Sequence, residues 1–430
     1  MVAVAQLECQ QRAQRQLEWH GEQQQREQHV RGGAGLRRKR VSSKHKLKAK
    51  HPRREGLSHP GNGRIKTGDA GILQDDPAVR TRKETAMYYK LACSFGSLYK
   101  GLKRSCRNVR WKDSVTGYEA NGLKNTLELS ERLQNGKYRI SDYQEFTVHE
   151  PKERRILASR LVDRQFQRSL CDSGLYNDIV EHLIRDNMAC QTGRGVDDAL
   201  KRMKVHLWRY FRQNGAEGWA LKCDIHHFFP ETRHDVAKAA VRKYVSDPDA
   251  AKAVCDIIDS FGGDRGIGLG SQISQLVELL VLNDLDHYIK ERLLIKGYIR
   301  YMDDFILIHE DRNYLCECLH KIRDKLEEMG FELNRKTQIF PLRHGIKFLQ
   351  WRFVLTDTGK VLMLMDNAKI SKQHRRIRKL WEREKAGTVA PGSTLESVRA
   401  FLANADRGNT WRIQQNMKQY YAECTGSEFK

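Results

Sequence analysis

The chain has 430 residues and a formal net charge of +23, and 39% of its residues are hydrophobic. That excess of lysine and arginine is too large for a typical metabolic enzyme and favours a polyanionic partner, either nucleic acid or an anionic membrane surface. No stretch approaches the roughly 18 apolar residues of a membrane span, and the N-terminus lacks the apolar core of a signal peptide.

The ten cysteines are scattered along the sequence without a CxxC pair. Paired cysteines at that spacing are the usual signature of a structural zinc site, so zinc is not expected. A long chain without a secretion signal keeps its thiols reduced, which predicts a cytoplasmic protein.

Residues 1–85 differ in composition from everything that follows. Gln/Glu/Arg repeats lead into the basic block LRRKRVSSKHKLKAKHPRRE and then into Gly-, Pro- and Asp-rich sequence. Few aliphatic residues recur at any period, so the segment cannot bury enough surface to offset its ordering entropy. We expect a disordered tail, and Met87, where patterned sequence begins, is an alternative start of the natural protein.

Two regions of patterned sequence precede the first predicted strand. Residues 86–147 predict a helical extension, and residues 148–220 begin with the basic run HEPKERRILASRLVDRQ and continue into an amphipathic helix around residues 175–184. One helix of the extension is expected to carry four leucines on a single face: Leu123, Leu127, Leu129 and Leu133.

The segment WALKCDIHHFF alternates between apolar and other positions from Trp219 to Ile225, which is the period of a strand with one buried face. Asp224 lies at the polar end of that strand and is followed by two histidines, an aromatic pair and a proline. A strand-terminal aspartate is often only a turn or cap residue. Asp224 alone therefore leaves a structural and a functional interpretation open.

The segment KGYIRYMDDFILIHE predicts a hairpin with acids at its tip, because apolar runs flank Asp303 and Asp304 on both sides. Adjacent carboxylates repel and lose hydration beside a core, which raises their proton affinity unless a cation lies between them. The alternative is an Asp-rich β-turn, which is common. The unusually apolar flanks favour acids held beside a core over acids in a loop.

Asp224, Asp303 and Asp304 together supply oxygen ligands of the kind that Mg²⁺ takes alongside substrate phosphates. Two such ions can activate a 3′-hydroxyl and stabilise the leaving pyrophosphate. In a strongly basic chain, these acids therefore predict nucleotidyl transfer with two Mg²⁺ ions, for which Mn²⁺ can substitute.

The sequence after the hairpin predicts helices. Asp311 is expected to cap a helix that ends at Gly330, and residues 361–430 are predicted to be helical and basic, with a capping box from Ser393 to Glu396. One helix crowds four cations around a narrow apolar stripe: Lys372, Arg375, Arg376 and Lys379. A helical thumb on a duplex backbone fits this pattern, and a merely solvated basic face is the alternative.

These motifs resemble, in order over residues 150–355, those of the reverse transcriptases. LKCDIHHFF resembles their first catalytic motif, with Asp224 as a metal ligand and Phe229 where these enzymes exclude a 2′-hydroxyl. YMDD at 301–304 is their best-known signature. FELNRKTQI resembles the motif in which Lys336 would protonate the leaving pyrophosphate.

The resemblance implies further contacts with metal, nucleotide and primer. The implied metal ligands are Asp224, the backbone carbonyl of Ile225, Asp303 and Asp304. Together with Phe229, GIGLGSQISQ and the upstream basic run imply the nucleotide-binding residues: Lys152, Arg155, Leu269, Gly270, Ser274 and Gln275. GIKFLQWRF resembles the hairpin that grips the primer end, which implies contacts from Phe348, Leu349, Gln350 and Trp351.

The implied fold is an α+β right hand. Fingers are expected at residues 148–220, a palm of antiparallel sheet with helices behind it at 221–355, and a basic helical thumb at 356–430. The implied partners are an RNA template, a DNA primer and product, and deoxynucleotides, with the cations of the thumb on the nucleic-acid backbone and no membrane partner.

Ser274–Gln275 resembles the diversity-generating retroelement enzymes and their relatives among bacterial defence-associated reverse transcriptases. This implies a cognate structured non-coding RNA and a role in anti-phage defence or in sequence diversification. Leu269 lies where viral enzymes place a base-pair-checking Gln, which implies relaxed fidelity. The alternatives are an RNA-binding protein on a polymerase fold without required catalysis, or a maturase-like or RNA-templated RNA polymerase activity.

Overall fold

The computed structural model describes residues 87–149 and 153–429. The predictions for residues 1–85 and for Lys152 therefore lie outside the described residues. Helices and antiparallel sheets occur together in the described ranges, which confirms the predicted α+β class. Within those ranges, no helix has both the length and the apolar character needed to cross a bilayer.

Helices form the start of the described chain, as predicted. In chain order they are α1 (Tyr88–Ala92), α2 (Phe95–Ser105), α3 (Asp113–Ala120) and α4 (Gly122–Gln134). Leu129 and Leu133 of α4 are buried, whereas Leu123 and Leu127 are 62% and 52% exposed. The prediction of one shared leucine face is therefore wrong for Leu123 and Leu127.

The buried face of α4 carries two hydroxyl residues in place of those leucines. The Thr126 hydroxyl donates to a carbonyl one turn earlier at 2.6 Å, and the Ser130 hydroxyl donates to the Cys93 carbonyl at 2.7 Å. A hydroxyl whose hydrogen bonds are made is buried at little cost. The buried face of α4 therefore includes two hydroxyl residues that the apolar pattern does not predict.

A β-hairpin and helices follow in the region predicted to form the fingers. They are β1 (Gln144–Val148), β2 (Arg154–Ala158), α5 (Leu161–Leu170), α6 (Tyr176–Val180) and α7 (Val196–Asn214). The predicted boundary between residues 147 and 148 falls inside β1, because β1 pairs antiparallel with β2 along its whole length. The hairpin therefore belongs to one unit that starts at Gln144.

The central sheet contains β3 to β6 in the antiparallel order β4-β5-β3-β6. Its region comprises β3 (Trp219–Asp224), α8 (Phe228–Glu231), α9 (His234–Tyr244), α10 (Pro248–Asp259), α11 (Gln272–Val281), α12 (Asn283–His287), β4 (Gly297–Tyr301), β5 (Asp304–His309), α13 (Arg312–Glu328) and β6 (Gln338–Pro341). Helix α13 packs against β3, β5 and β6. Its Asp311 cap is confirmed, since the carboxylate accepts from the Asn313 N–H at 2.7 Å.

A second antiparallel sheet joins the central region to the C-terminal helices. It consists of β7 (Ile346–Phe348), β8 (Trp351–Leu355) and β9 (Val361–Met365), and it is followed by α14 (Asn367–Lys385), α15 (Ser393–Ala405) and α16 (Trp411–Thr425). The prediction of a purely helical region after residue 356 is wrong for β9. The alternating side chains of VLMLM are all apolar, and such short apolar runs do not distinguish a strand from a helix.

The predicted capping box at the start of α15 is also absent. Ser393 is the first helical residue, and its hydroxyl donates back to the Ala390 carbonyl. The Glu384 carboxylate, from the end of α14, instead accepts from the Thr394 N–H at 2.9 Å and the Thr394 hydroxyl at 2.6 Å. A carboxylate from a neighbouring helix thus satisfies one free N–H group of the first turn and is favoured by the positive end of the helix dipole.

A fully buried ion pair lies between β4 and α12. The Arg300 guanidinium donates to both carboxylate oxygens of Asp286, at 2.7 and 2.6 Å, and neither side chain is exposed. The Tyr298 hydroxyl donates to the same carboxylate at 2.6 Å. Two buried charges are tolerated because each is paired and hydrogen-bonded.

Asp286→Asn is expected to lower the free energy of unfolding by about 3 to 5 kcal/mol, because it leaves the Arg300 charge buried without its partner. Chemical denaturation followed by circular dichroism measures this loss. Asp324→Asn is the matched control, since Asp324 is an exposed residue of α13. Equal stability of the two variants would contradict the assigned importance of the buried pair.

Candidate active site

Strands β3 and β5 bring the three predicted acids together. Asp224 ends β3 and lies directly opposite Asp304, the first residue of β5. Directly opposed residues of an antiparallel pair project from the same face of the sheet. The Ile225 N–H donates to the Asp303 carbonyl at 3.3 Å, which continues the pairing past the strand end.

The turn between β4 and β5 holds the acid pair in a strained conformation. Met302 has a φ of +60°, in the left-handed region that residues other than Gly, Asn and Asp seldom adopt. Arg300 donates to the Met302 carbonyl at 3.0 Å. The buried guanidinium that pairs with Asp286 thus also fixes the carbonyl of the strained residue. Such strain persists where surrounding structure over-determines it.

Few groups of the protein offset the negative charge of the three acids. Asp303 Oδ1 and Asp304 Oδ1 are buried and have no hydrogen-bond partner among the described residues. Loss of hydration, with the charge of Asp224 adding to it, raises the pKa of Asp303 to about 6. Burial also raises the pKa of Asp304, although the nearby Lys222 ammonium opposes that rise.

These acids fit divalent metal ions such as Mg²⁺. Unpartnered buried carboxylate oxygens are costly, and hard cations with oxygen ligands relieve that cost. The residues present would offer Mg²⁺ the carboxylates of Asp224, Asp303 and Asp304, with the neighbouring Ile225 carbonyl as a further candidate.

Another group of possible ligands lies on and just after α6. Asp178, Glu181 and His182 place potential ligand atoms within 4.8 Å of one another. The Asp178 carboxylate, however, already accepts from the Tyr88 hydroxyl and from the Ser246 N–H, each at 2.8 Å. It therefore connects α6 to the surrounding elements, a structural use that accounts for its burial.

The loop containing Lys336 is tied to the strand that carries Asp224. The Asn334 N–H donates to the Asp224 carbonyl at 2.7 Å, and the His226 N–H donates to the Glu332 carbonyl at 2.8 Å. Lys336 itself is exposed. Its loop thus lies beside the acids, and its role as a proton donor stays a prediction.

Phe229 and the segment predicted to hold template and base are also brought together. The Ile267 N–H donates to the Phe229 carbonyl at 2.9 Å, and the Gly266 N–H donates to the Thr232 carbonyl at 2.8 Å. Phe229 is 7% exposed, and its ring meets that of Phe228 edge-on. A small exposed part of a rigidly packed ring is suited to a steric limit on a bound sugar.

The other residues of that segment differ in accessibility. Leu269 and Gln275 are half-buried, and Gly270 has a φ of +116° with its Cα facing β2. Ser274 is 1% exposed, and its hydroxyl has no partner among the described residues. Ser274 is therefore enclosed by the fold and does not present its hydroxyl to a nucleotide in this conformation.

Arg155 lies on the fingers hairpin in an exposed ion pair. Its guanidinium contacts both carboxylate oxygens of Glu145 on β1, at 2.5 and 2.7 Å. Exposed pairs contribute little to stability, so a phosphate competes with Glu145 at low energetic cost. The predicted nucleotide contact of Arg155 requires that exchange.

The predicted primer-grip residues form the β7–β8 hairpin. Leu349 and Gln350 make the two-residue turn with φ of +47° and +69°, and primed turns of this kind usually take Gly or Asn. Phe348 and Trp351 are buried on either side of the turn, and Gln350 accepts a hydrogen bond from Lys369. The hairpin geometry matches the sequence-based expectation, while primer contact stays a prediction.

The four predicted cations of the thumb lie exposed along α14: Lys372, Arg375, Arg376 and Lys379. On the same helix, Ile377 is fully buried and Gln373 is 9% exposed. The helix therefore separates a packed face from a basic face, as the pattern indicated. Contact between that basic face and a nucleic-acid backbone stays a prediction.

Two residues of the site escaped the sequence analysis. Lys222 donates to Asp304 Oδ2 at 3.1 Å and to the Lys347 carbonyl at 2.9 Å, and Arg300 supports the acid turn from within the core. Lys222 lies two residues before Asp224, on the same side of the strand. That spacing could have predicted that Lys222 lies near the acids. For Arg300, the corresponding feature is a charged residue within the apolar run of β4.

An antiparallel sheet with three clustered acids, flanked by an aromatic turn and a hairpin, has the organisation of a nucleic-acid polymerase palm. Residues 151–353 match the family model described as "Reverse transcriptase (RNA-dependent DNA polymerase)". Residues 151–353, slightly less than half of the chain, are therefore similar to the reverse transcriptase family.

A curated relative is Protein YkfC of Escherichia coli strain K12, which is 25% identical over a match covering 37% of this chain and 53% of the relative. The chain thus spans about half the length of this relative. Similar solved structures include telomerase from Candida albicans in complex with a fragment of telomeric RNA (11% identity, TM-score 0.42, 68% of this chain and 56% of that one). Another is the Sicinivirus 3Dpol RNA-dependent RNA polymerase (14%, 0.42, 67% and 65%).

Asp303→Asn is expected to stabilise the metal-free protein above pH 6. A pKa raised to about 6 means that the folded state holds its proton more tightly than the unfolded chain does. The resulting stability is complete below the unfolded pKa of about 4 and is lost as the pH rises through 6. Thermal unfolding from pH 4 to 8 should therefore favour the variant increasingly, by on the order of 2 kcal/mol.

Added Mg²⁺ or Mn²⁺ should reverse that order by stabilising the original protein and not the variant. Asp324→Asn, an exposed substitution on α13, should show neither effect. A pH-independent difference between the original protein and Asp303→Asn would contradict the assigned electrostatic cost.

Proposed function

We propose that the protein is an RNA-directed DNA polymerase that adds deoxynucleotides to a primer on an RNA template. The observation that carries this proposal is the meeting of Asp224, Asp303 and Asp304 at the ends of paired strands, with two buried carboxylate oxygens left without partners. The reverse transcriptase match over residues 151–353 supports the choice of template and product.

The acids supply negative charge in a fixed position before any substrate binds. Two Mg²⁺ ions, or Mn²⁺ in their place, would supply charge neutralisation at the attacking 3′-hydroxyl and at the leaving pyrophosphate. Asp303 and Asp224 would hold them most directly, because Asp304 already shares one oxygen with Lys222. Exposed Lys336 would carry a proton at Nζ and give it to the pyrophosphate as that group leaves.

The packing of Phe229 favours deoxynucleotides as substrates. Its carbonyl is held by the Ile267 N–H and its ring by Phe228, so the ring cannot withdraw from a bulkier sugar. A ribose adds a 2′-hydroxyl at that point, and rigid aromatic packing resists the displacement that the hydroxyl would require.

The basic faces indicate the nucleic-acid partners. A net charge of +23 and the exposed cations of α14 are suited to the phosphates of an RNA template and a DNA product. We further propose that the template is a structured non-coding RNA of a cytoplasmic element, used in anti-phage defence or sequence diversification. Sequencing the RNA that co-purifies with the protein tests this, and random cellular RNA would argue against a cognate template.

Combined substitution of Asp303→Asn and Asp304→Asn should abolish deoxynucleotide incorporation on a primed RNA template, with a loss of at least about a thousandfold. Binding of the primed template should persist, because the cations of the thumb are unchanged. Incorporation in solution and filter binding measure the two quantities, with Asp324→Asn as the control. Retained synthesis would refute the metal assignment, and binding without synthesis by the original protein would favour an RNA-binding role.

Phe229→Ala should raise the use of ribonucleotides relative to deoxynucleotides, because the smaller side chain opens space for a 2′-hydroxyl. Single-nucleotide incorporation with matched ribo- and deoxynucleotides measures the ratio. Phe228→Ala keeps the Phe229 ring but removes the ring packed against it, so it should raise ribonucleotide use by less than Phe229→Ala does. If the wild-type protein itself prefers ribonucleotides, that result favours RNA-templated RNA synthesis as the function.

A further inference from the structure

The Lys222 ammonium group contacts both the Asp304 carboxylate and strand β7, which leads into the predicted primer-grip hairpin. Its Nζ lies 3.1 Å from Asp304 Oδ2 and 2.9 Å from the Lys347 carbonyl oxygen. Lys347 is the middle residue of β7 and immediately precedes Phe348 at the primer-grip turn. A lysine ammonium has three donors, so both contacts can be made at once.

We infer that Lys222 is a positioning residue that couples metal binding at the acids to the placement of the β7–β8 hairpin. This inference rests on the proposed polymerase function. The side chain is 25% exposed and that of Asp304 is 13% exposed, so the pair is partly shielded from solvent. Partial shielding makes the attraction stronger than that of a surface pair.

The coupling follows from competition for one carboxylate. Asp304 Oδ2 is paired with Lys222, and Oδ1 has no partner among the described residues. A cation bound at Oδ1 draws on the same negative charge and weakens the hold of Asp304 on the ammonium. The Lys222 ammonium then depends more on the Lys347 carbonyl, so a change at the acids reaches the strand that leads into the hairpin.

The turn of the β7–β8 hairpin is sensitive to small displacements of the residues around it. Its turn residues Leu349 and Gln350 both have positive φ, and neither is a residue that adopts this region readily. A strained turn keeps its geometry only through its surroundings. Lys222 is one of those surroundings, because it contacts the strand just before the turn.

Three variants separate this coupling from a plain structural ion pair. Lys222→Met removes the charge and the donor with little change in side-chain volume, and Lys222→Arg keeps both. Lys325→Met is the matched control, because it removes a lysine of α13 that is 43% exposed and pairs with Glu328, which is 63% exposed.

The first measurement is Mn²⁺ binding without nucleic acid, followed by electron paramagnetic resonance. Lys222→Met should bind Mn²⁺ roughly fivefold more tightly, because the competing cation is gone. Lys222→Arg and Lys325→Met should stay within about twofold of the original protein. Unchanged Mn²⁺ affinity in Lys222→Met would overturn the competition at Asp304.

The second measurement is amide hydrogen exchange over residues 346–351, with and without Mn²⁺. The original protein, Lys222→Arg and Lys325→Met should show a Mn²⁺-dependent change in exchange of the hairpin, and Lys222→Met should show none. The same Mn²⁺ response in Lys222→Met would overturn the coupling, because the signal would then reach the hairpin by another route.

Primer extension gives the functional consequence. Lys222→Met should raise the KM for primed template more than it lowers the rate at saturation, because primer placement is impaired while the acids remain. If the wild-type protein binds Mn²⁺ but never extends a primer, the proposed function is refuted. The Mn²⁺ and exchange measurements would still decide the role of Lys222 in that case.

Discussion

The buried pair of Arg300 and Asp286 is the interaction on which the rest of the palm depends. The guanidinium reaches four acceptors: both Asp286 oxygens, the Met302 carbonyl at 3.0 Å and the Leu279 carbonyl at 3.2 Å. The main chain of Arg300 also pairs with the segment before α7, since its N–H donates to the Asp186 carbonyl. One residue therefore fixes β4, α11, α12 and the acid turn relative to one another. A buried charge tolerates few alternative arrangements, because each loses partners that only this arrangement supplies.

That rigid support makes it possible to keep three acids close together at a cost to stability. A flexible turn would let Asp303 and Asp304 separate into water and relieve their repulsion. The positive φ of Met302 and the bond from Arg300 prevent this relief, so Asp303 stays buried and the loss of hydration raises its pKa. Holding the acids together lowers the stability of the fold, but it leaves the site ready to bind cations. Preorganised sites commonly store local strain in this way.

Much of this site was predictable from the sequence because its signals are local. The alternation that ends at Asp224, the apolar runs around Asp303 and the cap at Asp311 are each contained within about a dozen residues. The failures concern choices made by distant partners. The buried face of α4 includes Ser130, whose hydroxyl bonds to Cys93 outside that helix. Strand β9 depends on a neighbouring strand, and the Asp304–Lys222 contact depends on the β3–β5 register. Periodicity carries no information on such pairings.

Arg300 and Lys222 divide the task of placing cations around the acids. Arg300 is fully buried and donates to four acceptors of the protein, so its charge is not accessible to ligands and serves to fix the backbone. Lys222 is partly exposed and shares a carboxylate that still has a bare oxygen, so its charge can be displaced. A guanidinium suits the first task because its planar fork holds several fixed acceptors, and a flexible ammonium suits the second. Arg300 lies on β4 and Lys222 on β3, the two strands that flank β5. The turn that carries Asp303 and Asp304 is therefore held by a fixed contact from Arg300 and a displaceable contact from Lys222.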